Sequence, residues 1–69
     1  MSNEARAILK YLQNECSDCW CVCEHNGFIK GYYTNICRFL IFKDDYDEWC
    51  ITGEELPIDM IYDIKKFLD

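Results

Sequence analysis

Histidine and proline each occur once in these 69 residues, and glycine occurs three times. Each scarcity excludes something. With a single histidine there is no second one for a paired metal motif, and the chain also lacks a nucleophile elbow and a glycine-rich phosphate loop, so an enzyme is not expected. So little glycine and proline leaves no linker, repeat or low-complexity stretch, and the length excludes a second independent domain. Basic residues are also scarce. Seven Lys and Arg stand against thirteen Asp and Glu, and a net charge of −6 argues against direct binding to nucleic-acid phosphates. Long apolar runs are missing too: Phe39-Leu40-Ile41-Phe42 is far too short to cross a bilayer. The amphipathic start MSNEARAILK has no secretion-signal pattern, so the expected location is the cytoplasm.

What is present supports a folded core, since 51% of the residues are hydrophobic and 16% are aromatic. A chain this short buries only about 60% of its unfolded surface, so help from a metal, disulfides or self-association as a homodimer is expected.

Ala5, Ile8, Leu9 and Leu12 recur at helical spacing behind Ser2 or Asn3 as N-cap, which predicts a helix over 3–15. From Asp18 the period changes. Cys19, Cys21 and Cys23 alternate with Trp20 and Val22 as on the two faces of a strand, and His25-Asn26-Gly27 supplies the turn into a second strand at Phe28–Tyr33. Ile36 to Lys43 reads as a third strand, Asp44-Asp45-Tyr46-Asp47 as a turn, and Glu48–Thr52 as a fourth strand. A helix inside 28–42 is the competing reading, because short apolar runs do not settle the period. Pro57 suits a first helical turn, and Ile58, Ile61, Tyr62, Ile64 or Lys65, and Leu68 follow at helical spacing, so the last helix is expected over 57–68. The predicted fold class is α+β, a single domain over residues 1–69: an N-terminal helix, a three- or four-stranded antiparallel sheet and a C-terminal helix.

The six cysteines allow three readings. Cys16, Cys19, Cys21 and Cys23, with His25 close behind, are the candidate ligands for a structural zinc ion, the only cofactor expected. That zinc-stabilised interaction module is the alternative function. Without metal, the thiols serve as small buried hydrophobes, and in a reducing cytosol a disulfide framework is less expected than either. Redox chemistry at Cys16-Ser17-Asp18-Cys19 is disfavoured, because a reactive C-x-x-C gains its low thiol pKa at the start of a helix and this one follows a helix.

Acid is concentrated toward the C-terminus. From Asp44 to Asp63 the chain carries Asp44, Asp45, Asp47, Glu48, Glu54, Glu55, Asp59 and Asp63 without one basic residue, and Tyr46 and Trp49 lie among them. Local stability does not require so many neighbouring like charges. An acidic surface with an aromatic anchor is expected to meet a basic protein surface, and Tyr46, at the turn tip, is the aromatic expected to be exposed; Trp49 is expected to point inward. A calcium loop is not supported beyond the fragment Asp45-x-Asp47.

On Asp44-Asp45-Tyr46-Asp47-Glu48 and Glu54-Glu55 the chain resembles, in size and charge, the small acidic phage-encoded inhibitors of the anti-CRISPR type. The resemblance implies a phage or mobile-element origin, action in the host-cell cytoplasm, and a CRISPR effector complex as target. It carries over no functional residue, because those proteins share no fold or motif. The expected function is therefore that of a non-enzymatic inhibitor whose acidic face, from Asp44, Asp45, Tyr46, Asp47, Glu48, Glu54, Glu55, Asp59 and Asp63, occupies a nucleic-acid-binding surface of its target.

Overall fold

The computed structural model describes residues 2–35 and 37–68. It is an α+β fold: helix α1 (Asn3–Asn14), strands β1 (Cys19–His25), β2 (Phe28–Tyr33), β3 (Cys37–Lys43) and β4 (Trp49–Thr52), then helix α2 (Ile58–Lys65). The strands form one antiparallel meander in the order β1-β2-β3-β4. The strand reading of 28–42 therefore holds and the helical one does not. Ile36, expected to open the third strand, lies outside the described residues.

Local chemistry sets most boundaries. Ser2 caps α1, its Oγ accepting the Ala5 N–H at 3.1 Å. The β1–β2 connection is the two-residue loop Asn26-Gly27, with φ of 52° and 87° at its two positions, the left-handed pair that matches the twist of a hairpin. Gly27 N–H is further held by Glu24 Oε1 at 2.8 Å.

Both helices pack on the same sheet face. Ala5, Ile8 and Leu12 from α1 and Met60 and Ile64 from α2 meet Ile29, Cys37, Phe39 and Ile41 from the sheet, with Leu56 closing the end. Trp49 joins this face half-buried, with the Lys43 ammonium 5.6 Å from its ring centre.

The second helix departs from expectation in length and phase. Pro57 is its N-cap, with extended ψ of 144°, and α2 ends at Lys65 before a tighter turn in which the Phe67 and Leu68 N–H groups reach back only three residues. Ile58 and Tyr62 are 69% and 63% exposed, and the buried face is Met60 and Ile64. Leu56, just before the helix, is already buried, and this anchor rotates Met60 rather than Ile58 toward the sheet.

Strand β1 also departs from simple alternation. Trp20 pairs with Tyr32 and Cys23 with Lys30, so Cys21 and Val22 together oppose the single residue Gly31. That is a β-bulge, made by Cys21 at φ 53°. Cys19 consequently packs against the core while Cys21 and Cys23 are exposed, and the three thiols do not share a face. The bulge presses Val22 onto Gly31. A Cβ on Gly31 would lie 2.9 Å from Phe39 Cζ, 3.0 Å from Val22 Cγ2 and 3.2 Å from Val22 Cα.

Backbone does not yield as a side-chain tip does, so Gly31→Ala should destabilise the fold by about 1–3 kcal/mol, the usual cost of overpacking. Phe39→Ala, which empties the largest fully buried position, should cost about 3–5 kcal/mol. A domain of this size has roughly 3–10 kcal/mol in total. Urea denaturation of both variants should therefore show Gly31→Ala folded with a lowered midpoint and Phe39→Ala largely unfolded. Equal midpoints for Gly31→Ala and the parent would show that the strand has room there.

Candidate functional site

The sheet has two ends, and the acidic residues collect at both. At one end lie the β3–β4 turn and the β1–β2 turn; at the other lie the α1–β1 loop, the start of β3 and the β4–α2 loop. Asp44, Asp45, Asp47 and Glu48 belong to the first end and Glu54 and Glu55 to the second, with the length of β4, roughly 13 Å, between them. The stretch from 44 to 63 thus does not form one continuous acidic patch.

At the turn end, part of the charge is spent on folding. Asp44 Oδ1 accepts the N–H groups of Tyr46 and Glu48, each at 2.9 Å, and its Oδ2 accepts the Cys50 thiol at 3.7 Å. The Glu48 N–H above all, helped by that of Tyr46 and by the Cys50 thiol, holds the Asp44 carboxyl below its ordinary value. Cys50 is moved the other way: partial burial, then the Asp44 and Glu48 charges, push its thiol up, which keeps it protonated as a donor. Asp47 pairs with Lys43 at 3.3 Å and takes the left-handed φ of 65° that closes the turn. Tyr46 is 86% exposed at the tip, as expected, with Asp45 and Glu48 beside it.

The other end gathers residues that the sequence keeps far apart. Glu15 and Asp18, from the α1–β1 loop, and Asp59 and Asp63, from α2, line one shallow, open cleft together with the half-buried Tyr11 and Tyr33. Asp63 accepts the Tyr11 hydroxyl at 3.1 Å and pairs with Lys66 at 3.3 Å. Burial first and the Asp63 contact second raise the Tyr11 hydroxyl above its ordinary value, so it remains a donor through the neutral range. Glu15, Asp18 and Asp59 are exposed and make no ion pair among the described residues. Glu54 and Glu55 border a neighbouring hollow with Cys37 and Arg38. Of the expected binding residues, then, Asp59 and Asp63 come together, Glu54 and Glu55 lie at the same end, and Asp44 to Glu48 are apart. Glu15 and Asp18 were not among the expected set. Their only sequence signal is position, in the loop that α1 delivers beside the end of the sheet.

The candidate zinc ligands do not converge. Cys16 and Cys19 are joined as a disulfide across a turn in which the Cys19 N–H donates to the Cys16 carbonyl at 3.2 Å. Cys21 and Cys23 lie exposed on β1, and His25 is exposed at its end. No group of three or more His, Cys, Asp or Glu is placed to hold a metal ion among the described residues. The disfavoured disulfide is thus present, but as one local link between residues three apart rather than a framework. A Cα separation of 5.4 Å, set by the turn, puts the two residues within bridging range. Cys37 fills the core, as the hydrophobe reading expects.

No helix among the described residues is long and apolar enough to cross a membrane.

The Asp44 geometry has a pH consequence. A carboxyl held low in the folded chain contributes stability above its unfolded pKa of about 3.9 and loses it as pH falls through the lower folded value. Asp44→Asn should therefore lower stability at pH 7 and erase part of the loss seen on acidification below about pH 4. Denaturation midpoints at pH 7 and pH 3 check this, and an equal deficit at both pH values would mean that the charge of Asp44 does not hold the turn.

No family model, curated protein or solved structure matches the chain, so nothing about its function is inherited from a relative.

Proposed function

We propose that this is a non-catalytic binding protein that docks an acidic surface onto the basic, nucleic-acid-binding surface of a protein target. The observation that carries the reading is the cleft between the α1–β1 loop and α2. Four carboxylates from distant parts of the chain line it, Lys66 is the one cation paired with any of them among the described residues, and the half-buried Tyr11 and Tyr33 line it with them. Clustered carboxylates steer encounter and slow release of a cationic partner, and the two tyrosines beside them supply aromatic contact area that raises affinity. Glu54 and Glu55 extend the negative potential around the same end. The turn residues Asp45, Tyr46 and Glu48 form a second acidic point of contact, while Asp44 and Asp47 serve the turn itself. In its specific form, the protein is a phage or mobile-element inhibitor and the target is a CRISPR effector complex, whose basic groove the carboxylates occupy in place of phosphates.

The zinc-module alternative loses its support, since Cys16 and Cys19 are spent on each other and no group of three or more His, Cys, Asp or Glu is placed to hold a metal ion among the described residues.

The side chains of Asp18 and Asp59 are exposed and make no ion pair or hydrogen bond among the described residues, so their double reversal to Lys, checked for folding by circular dichroism because Asp59 lies in the first turn of α2, tests recognition. It should weaken binding to a CRISPR effector complex, read by surface plasmon resonance, at least tenfold. Association of the parent should also slow as salt rises, with a Debye length of about 8 Å at physiological ionic strength. A folded double variant with parental affinity and parental salt dependence would remove the cleft from recognition; no binding by the parent would remove the effector complex as target.

A further inference from the structure

Both helices lie on one side of the sheet, and the side chains on the other side stand in three rows. The first carries Trp20 stacked on Tyr32, the third carries Phe28 against Phe42, and between them runs the row of Cys23, Lys30 and Leu40. No carboxylate stands in any row, although the chain has almost twice as many acids as bases. Where the first two rows meet the β1 bulge, an open hollow of about 410 Å³ is lined by Cys21, Cys23, Lys30, Gly31, Tyr32 and Arg38. That volume falls in the range of small-molecule sites, roughly 300–1,000 Å³.

The bulge decides which thiols reach this hollow. By setting Cys21 and Val22 together opposite Gly31, it leaves Cys19 packed on the core side and joined to Cys16, with Cys21 and Cys23 exposed on the open side. The other two free thiols are closed to the same chemistry. Cys37 is buried, and Cys50 is held protonated beside Asp44 and Glu48, whose charges also repel an anion.

Between the two exposed thiols, Cys23 has the cation. Its partner across the strand pair is Lys30, which puts the two side chains side by side, and Lys30 makes no ion pair among the described residues. Glu24, the adjacent acid in the chain, is turned to the Gly27 N–H in the hairpin loop. Arg38 also borders the hollow that holds Glu54 and Glu55, so its charge is shared with those acids and Lys30 is the cation that serves Cys23. An exposed thiol beside an unpaired ammonium, in a hollow lined by no carboxylate, suits a small disulfide that itself carries carboxylates.

We propose that Cys23 is a site of reversible S-thiolation by a small anionic disulfide of the glutathione class, with Lys30 receiving one of its carboxylates. The Cys23 thiol gives its proton to water, and its sulfur attacks one sulfur of the disulfide. The new S–S bond to Cys23 forms as the bond within the disulfide breaks, and the electron pair leaves on the second glutathione, which takes up a proton. Cys23 is oxidised and the departing glutathione is reduced, one for one. The acidic cleft lies on the helix side and takes no part, so the site stands or falls apart from the reading of the cleft.

The test treats the full chain with glutathione disulfide at neutral pH and follows it by intact mass and peptide mapping. One glutathionyl group should add at Cys23 and be removed by dithiothreitol. Lys30→Glu should slow the addition about fivefold or more and Lys30→Arg should keep the parental rate, whereas the rate with uncharged hydroxyethyl disulfide should change far less. Cys21→Ser should keep the adduct, and a parent chain in which Cys21 then displaces the group to close a Cys21–Cys23 disulfide shows the same first step. Circular dichroism checks folding; if Lys30→Glu is not folded, the parent decides, since added salt should slow the anionic disulfide and spare the neutral one. No adduct, modification first at Cys21 or Cys50, or a rate indifferent to Lys30→Glu and to salt would overturn the proposal, as would equal slowing with both disulfides.

Discussion

Phe39 packs against two glycines, Gly31 and Gly53, at positions that leave no room for a side chain, and the rest of the molecule is arranged around that contact. Its ring fills the space over Gly31 that a side chain would occupy, under the Val22 segment that the β1 bulge pushes inward, and its Cβ closes against Gly53 at the end of β4. Strands β1 to β4 are thereby drawn over one residue, and α1 and α2 cover it with Ile8, Leu12 and Ile64, none of which retains solvent exposure. A chain of this length can cover one sheet face with two short helices and has nothing left for the other. The uncovered aromatic rows are therefore a consequence of size as much as of sequence.

The same economy explains where the charge lies. Acids are kept out of the core and out of the open rows, so they accumulate at the two ends of the sheet, where loops and helix termini lie. One end uses its carboxylates to hold a tight turn, with Asp44 bonded to two N–H groups and Asp47 paired with Lys43. The other end leaves the Glu15 and Asp18 carboxylates without a bond or ion pair among the described residues and asks of Asp59 only a place in the first turn of α2, so these charges remain available to a partner.

Much of the architecture was legible from residues alone. The period of Ala5, Ile8 and Leu12, the Ser2 cap, the Asn26-Gly27 turn and the β-rich run into Asp44 each report a local preference, and each local preference prevailed. What was not legible depended on distant partners. A left-handed cysteine at position 21 has no sequence signature, and the one hint was a glycine in mid-strand at Gly31, where a close backbone approach is common. The phase of α2 followed from Leu56 reaching the core first, which its own periodicity does not encode. Charge counting along the chain joined Asp44 to Asp63 as neighbours, whereas the fold separates the turn from the loop by the length of β4 and brings Asp63 to Tyr11 across 52 positions. The open face was in principle readable, because Phe39 to Phe42 are apolar on both alternating sets, a pattern that calls for partners on both sides of a strand.

The most direct test of the account is to map, by backbone amide chemical shifts, where an arginine-rich peptide binds this protein. Shifts concentrated in residues 15–18 and 57–63, fading with added salt, are the result the account predicts. Shifts confined to residues 44–48, or spread evenly over the molecule, would contradict it, because the cleft at the loop end would then have no claim to be the surface a basic partner meets.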